Sequence, residues 1–221
     1  MPAGERHVTR LEGFSDTVFA FALTLLVVSL EVPTSFGELM KSMREFIPFG
    51  LMFAMIAWIW YEHNEFFRRY GLQDPSTILL NTVLLFVVLF YVYPLKFLTR
   101  MLVGPFFGIA VQGAIRSNEE AAHLMILYSS GFVLISGTFC LLYQHAWSRR
   151  RELELTGSDQ IALRHKRLSH AAAALIGCLS IAIAAVRPAW TAAAGFLYFA
   201  LGPIYTWIGF HEGRARRKLE S

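Results

Sequence analysis

Long apolar runs alternate with short polar stretches along the whole chain, and six of the runs are long enough to cross a bilayer. A spanning helix needs about 20 mainly apolar residues, because lipid offers the backbone no hydrogen-bond partner and only a helix satisfies its own groups. The first run, 18–30, is broken only by Thr24 and Ser29 and is extended backwards by Gly13, Phe14, Ser15 and Asp16. A second, 46–67, meets no charge before Glu62, and a third, 78–95, contains one strongly polar residue, Asn81. The fourth, 124–147, has no Asp, Glu, Lys or Arg. The fifth and sixth, 168–186 and 188–210, are separated only by Arg187 and Pro188, which predicts a tight helical hairpin. The predicted helices are 10–32, 46–67, 76–97, 123–147, 168–186 and 188–210, forming one six-helix transmembrane domain over 1–221. A cleaved leader is not expected, since the start carries Glu5 and Glu12 and the first run ends in Glu31, Val32 and Pro33 without a small-residue cleavage site.

Composition agrees with a membrane protein. Of 221 residues, 55% are hydrophobic and 16% charged, against about a quarter charged in a water-soluble globule. The net charge of +4 is modest, and its placement says more than its size. Six spans put both termini on one side. The terminal segments with the 68–77 and 148–168 turns hold 14 Lys/Arg, and the opposite segments hold 6. By the positive-inside rule both termini are cytoplasmic. Arg149, Arg150 and Arg151, and the basic stretch 214–218, are read first as topology signals and second as anionic-lipid contacts. Nucleic acid is not an expected partner. Cys140 and Cys178 form no C-x-x-C pair and are read as small buried hydrophobes, and no metal site or cofactor is indicated.

Two smaller features concern the connections. Ser158 before Asp159 predicts a short helix inside the 148–168 loop. The apolar stretch 103–114 is broken by Gly104, Pro105 and Gly108 and is expected to be interfacial or re-entrant. No stretch carries the T-V-G-Y-G backbone filter of ordinary potassium channels.

Ionisable and strongly polar side chains inside spans are expensive and mark function by default. Thr9 followed three residues later by Glu12 fits a capping box and starts helix one there. Arg10, Ser15 and Asp16 then fall in its first two turns. Trp60, His63 and Asn64 lie near the inner end of helix two, and Asn81 lies at similar depth on helix three. Polar groups at matching depth on neighbouring helices hydrogen-bond one another. Two readings are open: an interhelical clamp that fixes helix one, or an ion site or proton relay at Asp16 or His63. Beyond Asp16, Phe21, Leu25 and Val28 follow an i, i+4, i+7 spacing and form a stripe. Such a stripe is a packing face, or, repeated around an axis, a stack of hydrophobic rings that gates by dehydrating ions.

The segment Arg10-Leu11-Glu12-Gly13-Phe14-Ser15-Asp16 resembles the R-x-x-x-F-S-D signature of the transmembrane protein 175 family, the lysosomal potassium channels and their bacterial relatives. Thr17, Val18, Phe19 and Ala20 continue the likeness. So do Trp60 and His63 ahead of Phe66, Phe67, Arg68 and Arg69, and Asn81 ahead of an apolar run ending in Pro94. The resemblance covers 9–32 most closely, then 56–97. It implies an all-α, potassium-permeable cation channel of the bacterial single-repeat form, a homotetramer in the cytoplasmic membrane with helix one lining the pore. It also implies a main constriction at Phe21, further pore positions at Leu25 and Val28, and Thr24 behind the constriction. Arg10, Ser15, Asp16, Trp60, His63, Asn64 and Asn81 would form the network that holds helix one. Potassium and other monovalent cations pass transiently and no metal is bound. Family members usually carry isoleucine or leucine at the constriction. Phe21 departs from that: its wider ring either attracts a cation through its π-face or seals the path.

The alternatives are a proton-coupled secondary transporter using Asp16 and His63, and a non-conducting membrane scaffold. Inverted repeats with symmetrically broken helices, the mark of many transporters, are absent from the sequence. No H-E-x-x-H, G-x-S-x-G or Walker loop supports an enzyme. Trp147, Tyr198, Tyr205 and Trp207 are expected in the interfacial belt.

Overall fold

The computed structural model describes residues 8–28, 32–109 and 115–220, apart from the side chains of Val28 and of 218–220. Among the described residues all regular structure is helical, and five segments are long and apolar enough to cross a membrane: Phe36–Tyr70, Pro75–Phe107, Asn118–Ser148, Gly157–Val186 and Pro188–Arg217. The chain forms two compact units, Met1–Ala110 and Val111–Ser221.

In the first unit, α1 (Arg10–Val28) packs against α2 (Phe36–Tyr70) and α3 (Pro75–Val103). The capping box forms as the sequence predicts: the Thr9 backbone N–H donates to Glu12 Oε2 at 2.9 Å, and the Glu12 N–H donates to Thr9 Oγ1 at 3.2 Å. Arg10, Glu12 and Asp16 occupy its first two turns, and the apolar run of the sequence continues past Val28 into residues outside those described.

Helix α2 begins at Phe36 rather than at 46. Ser35 caps it, accepting from the Glu38 N–H at 3.2 Å. Glu38, Lys41, Arg44 and Glu45 make this first part too polar to read as a span, and Pro48 sits inside the helix. The turn to α3 needs Gly71, whose φ of +59° is left-handed. Asp74 then caps the Ser76 and Thr77 N–H groups, with Pro75 at the first helical position. At the far end of this hairpin Arg100 pairs with Glu45 at 2.7 Å. Helix α3 passes through Pro94 to Val103, and one 3₁₀ turn, Gly104–Phe107, follows it. Of the stretch 103–114, residues 110–114 lie outside the described residues.

The second unit is built on an antiparallel pair, α4 (Asn118–Ser148) and α5 (Gly157–Val186). The helix expected as a separate piece after Ser158 is instead the first part of α5. Thr156 is the cap, and its capping box with Asp159 carries the helix without a break through Arg164, Lys166 and Arg167. Arg187 ends α5 and the chain reverses at Pro188, as the apolar pattern predicts. The sixth run is not one smooth helix: α6 (Thr191–Phe196), a 3₁₀ turn (Leu197–Ala200) and α7 (Leu201–Glu220) follow one another. Pro203 gives the cause. It has no N–H to offer the Phe199 carbonyl four residues back, and its ring crowds that carbonyl, so the turn ahead of it tightens.

Small and polar residues hold this unit together. Ser129 Oγ donates to Ser180 Oγ at 3.1 Å, and the Tyr198 hydroxyl donates to Ser129 Oγ at 2.8 Å. Tyr198 is therefore an internal hydrogen-bond donor within this unit. His170 stacks on Phe139 and Tyr143, with ring centroids 4.9 and 5.5 Å away. Cys140 is half-buried and Cys178 is exposed, so the latter is not a core hydrophobe. At Gly177 the helices approach so closely that a Cβ would lie 2.5 Å from Val133 Cγ2 and 3.6 Å from the Ser129 carbonyl. Close backbone approach over a small residue is a common source of helix association in lipid. Gly177→Ala is expected to destabilise the protein by about 1–3 kcal/mol, because the branched Val133 must leave its rotamer. The readout is thermal melting of helical circular dichroism in detergent; an unchanged midpoint would contradict this packing.

Candidate functional site

The start of α1, the C-terminal part of α2 and the start of α3 meet at one end of the first unit, and the predicted polar residues meet there. Asn81 on α3, fully buried, is the centre. Its Nδ2 donates to Ser15 Oγ at 2.9 Å, and the Ser15 hydroxyl donates in turn to the Leu11 carbonyl at 2.8 Å. Its Oδ1 lies 2.7 Å from His63 Nε2 on α2. Because the amide already donates through nitrogen, its oxygen must accept, and His63 therefore carries its proton on Nε2. His63 Nδ1 is buried with no hydrogen-bond partner among the described residues. The imidazole packs against Phe67 at 4.5 Å and Phe19 at 5.4 Å between ring centroids. One uninterrupted polar chain, His63 to Asn81 to Ser15 to the α1 backbone, thus joins three helices through groups that are 0–1% exposed.

Beside this chain the Trp60 indole N–H donates to Asp16 Oδ1 at 2.8 Å, at the exposed rim. Asn64 is half-buried next to His63, and Arg10 is exposed on the first turn of α1. Of the seven residues predicted for this network, Ser15, Asp16, Trp60, His63 and Asn81 are brought together by direct bonds. Asn64 and Arg10 lie at its edge. Sequence reasoning missed Phe19 and Phe67, whose rings enclose the histidine, since both looked like ordinary apolar positions.

The anchoring fixes which way α1 faces. At about 100° per residue, Ser15, Phe19, Ala22 and Leu26 lie on one line of the helix, and all four are buried. Thr17, Phe21, Thr24 and Leu25 gather around a line about 145° away. Phe21 is 58% exposed, Thr17 and Thr24 are exposed and Leu25 is half-buried. Val28 continues this line, but its side chain lies outside those described. Thr17 Oγ1 donates to the Gly13 carbonyl and Thr24 Oγ1 to the Ala20 carbonyl, each at 2.8 Å. With its proton turned back into the helix, each hydroxyl presents only oxygen lone pairs outward, one turn before and one turn after Phe21. Thr17 was not singled out from the sequence, where it read as one small residue among several. Among the described residues no group of three or more His, Cys, Asp or Glu is placed to hold a metal ion.

Residues 10–91 match the family described as endosomal/lysosomal potassium channel TMEM175. A potassium channel of Marivirga tractuosa is 41% identical over 226 residues, spanning 97% of this chain and 91% of that protein. Among solved structures, a variant of the potassium channel MtTMEM175 in complex with a nanobody–MBP fusion superimposes with a TM-score of 0.84 at 38% identity, covering 95% of each chain. The lysosomal potassium-selective channel TMEM175 homolog from Chamaesiphon minutus shares the fold, with a TM-score of 0.54 at 21% identity over 92% of this chain and 96% of that one.

Removing Asn81 strands the His63 N–H and takes the donor away from the Ser15 oxygen, whose own proton stays on the Leu11 carbonyl. Asn81→Ala is expected to cost about 1–3 kcal/mol for the groups left unpaired. Trp60→Phe, at the exposed rim, should cost about 0.6 kcal/mol, typical of an interhelical bond in a membrane. Melting of the two variants in the same detergent checks the order, and an Asn81→Ala midpoint above that of Trp60→Phe would contradict it.

Proposed function

The chain belongs to the TMEM175 family, a family of multi-pass membrane channels, and from that membership we propose that it is a potassium-permeable cation channel whose α1 lines the path. In this reading four copies surround an axis in a bacterial cytoplasmic membrane, with both termini in the cytoplasm, and the whole chain is one channel domain. Flow is passive, down the electrochemical gradient.

The observation that carries the proposal is the division of α1 into two faces. One face is bonded and packed into its own protomer through Ser15, Phe19, Ala22 and Leu26. The other leaves a 58% exposed phenylalanine between two threonine oxygens. Rotated about an axis, that face supplies a hydrophobic constriction at Phe21, widened or extended by Leu25 and Val28. Rings of Thr17 and Thr24 oxygens then receive the ion on either side. A hydrophobic ring selects by the cost of removing water, and the Phe21 π-face offsets part of that cost for a cation. The network at Asn81 acts as the clamp that keeps this face turned outward from the protomer. Asp16 and His63 bond to different partners, Trp60 and Asn81, which favours the clamp over a proton relay between them.

Potassium flux into liposomes containing the purified protein tests the proposal. Phe21→Ala is expected to raise the flux by about tenfold, equivalent to removing about 1.4 kcal/mol from the barrier. Absence of cation flux in the wild type would leave the scaffold reading, and saturable uptake driven by a proton gradient would favour the transporter. Asp16→Ala is expected to lower the tetrameric fraction or the opening, with the potassium-to-sodium ratio of the remaining current unchanged. Normal tetramers with altered ion preference would contradict the clamp role.

A further inference from the structure

The second unit carries an arginine cluster that the channel reading does not use. Helix α4 ends at Ser148, directly after Trp147, and the turn that follows presents Arg149, Arg150 and Arg151. This turn is ordered by its own backbone. The Leu153 N–H donates to the Arg149 carbonyl at 3.0 Å, and the Glu154 and Leu155 N–H groups donate to the Arg151 and Arg150 carbonyls at 3.2 Å each. Glu154, at φ +48°, closes the turn in the left-handed region.

Two guanidiniums converge on Trp147. Arg150 lies 4.9 Å from the ring centroid and Arg167, from α5, 5.3 Å, which keeps the two charges within about 10 Å of each other. One N–H of Arg150 caps the Trp147 carbonyl at 3.0 Å, and one N–H of Arg167 holds Gln144 Oε1 at 2.7 Å. Neither pairs with a carboxylate among the described residues, whereas Arg149 is paired with Glu152 at 3.6 Å. A guanidinium has five N–H donors, so each arginine is fixed in place by one bond and one ring and keeps several donors for a ligand. A tryptophan at the end of an apolar helix sits at headgroup level. A forked donor there matches a phosphate diester.

We propose that Arg150 and Arg167, set against Trp147, form a binding site for the phosphate of an anionic phospholipid. Acyl chains of the lipid lie along the apolar surface of α4 and α5, where Leu141, Leu168 and Leu175 are exposed. The site commits to a membrane lipid rather than a soluble phosphate because the cluster ends a spanning helix and this apolar surface continues below it.

The test uses the purified full chain, stripped of co-purified lipid in a zwitterionic detergent. It is mixed with equal amounts of palmitoyl-oleoyl phosphatidylglycerol and phosphatidylcholine, and retained lipid is counted by native mass spectrometry. Each guanidinium near a headgroup is worth about fivefold in binding, so the wild type should retain phosphatidylglycerol over phosphatidylcholine by roughly that factor per arginine. The R150Q/R167Q variant should lose this preference. R187Q, which removes the single arginine stacked 5.6 Å from Trp190 at the other end of α5, should leave it unchanged. If the double variant does not fold, the wild-type ratio and the single R150Q and R167Q variants decide. Equal retention of the two lipids by the wild type, or a preference that survives loss of both arginines, overturns the site. Displacement by chain-free glycerol 3-phosphate at equal concentration overturns the lipid assignment.

Discussion

In hydrocarbon a polar side chain has no water to turn to, so it must find its partners in neighbouring helices or it will not be tolerated. Asn81 meets that constraint with an amide bonded at both ends, one to α1 and one to α2. Its geometry leaves little freedom. Donating to Ser15 obliges the oxygen to accept, which fixes the tautomer of His63, and the rings of Phe19 and Phe67 then close over the imidazole. The orientation of α1 about its own axis follows from this one amide, because Ser15 reaches Asn81 only when the line through Phe19, Ala22 and Leu26 faces inward.

The same constraint shapes what α1 can offer on its other face. The backbone carbonyls of α1 are committed to helical bonding, so in the proposed channel an ion passing this helix would meet side chains. The threonine hydroxyls add to this, since donating to Gly13 and Ala20 leaves them as pure acceptors. A path built this way differs in kind from one lined by free carbonyl dipoles. In that reading its discrimination would rest on the width and polarisability of a few side chains, Phe21 first among them.

Much of this was legible from the residues, and the exceptions have physical causes. The capping box at Thr9 and Glu12, the hairpin corner at Arg187 and the meeting of Ser15, Asp16, Trp60, His63 and Asn81 all follow from local chemistry or from matching depth. The early start of α2 was hidden because its first turns carry charges and a proline, which mimic a loop. The continuity of α5 was hidden because Arg164, Lys166 and Arg167 look like a connection, although helices extend beyond the bilayer at no cost. The bond of Tyr198 to Ser129 was hidden because an interfacial tyrosine and one that bonds a buried serine look the same in sequence. Side-chain partners between distant segments, such as Ser129 with Ser180 or Trp147 with Arg167, depend on helix rotation, which an even distribution of apolar residues does not specify.

The hydrogen bonds at Ser15 and Asp16 hold α1 at its start, and the buried Phe19, Ala22 and Leu26 continue the anchoring along the same line. Phe21 lies six residues beyond Ser15, about 9 Å along the axis, with packed residues before and after it. Its ring therefore changes position by turning about its own side-chain bonds while the backbone beneath it stays fixed. In the proposed channel, opening at that level would be a matter of rotamers rather than of helix tilt.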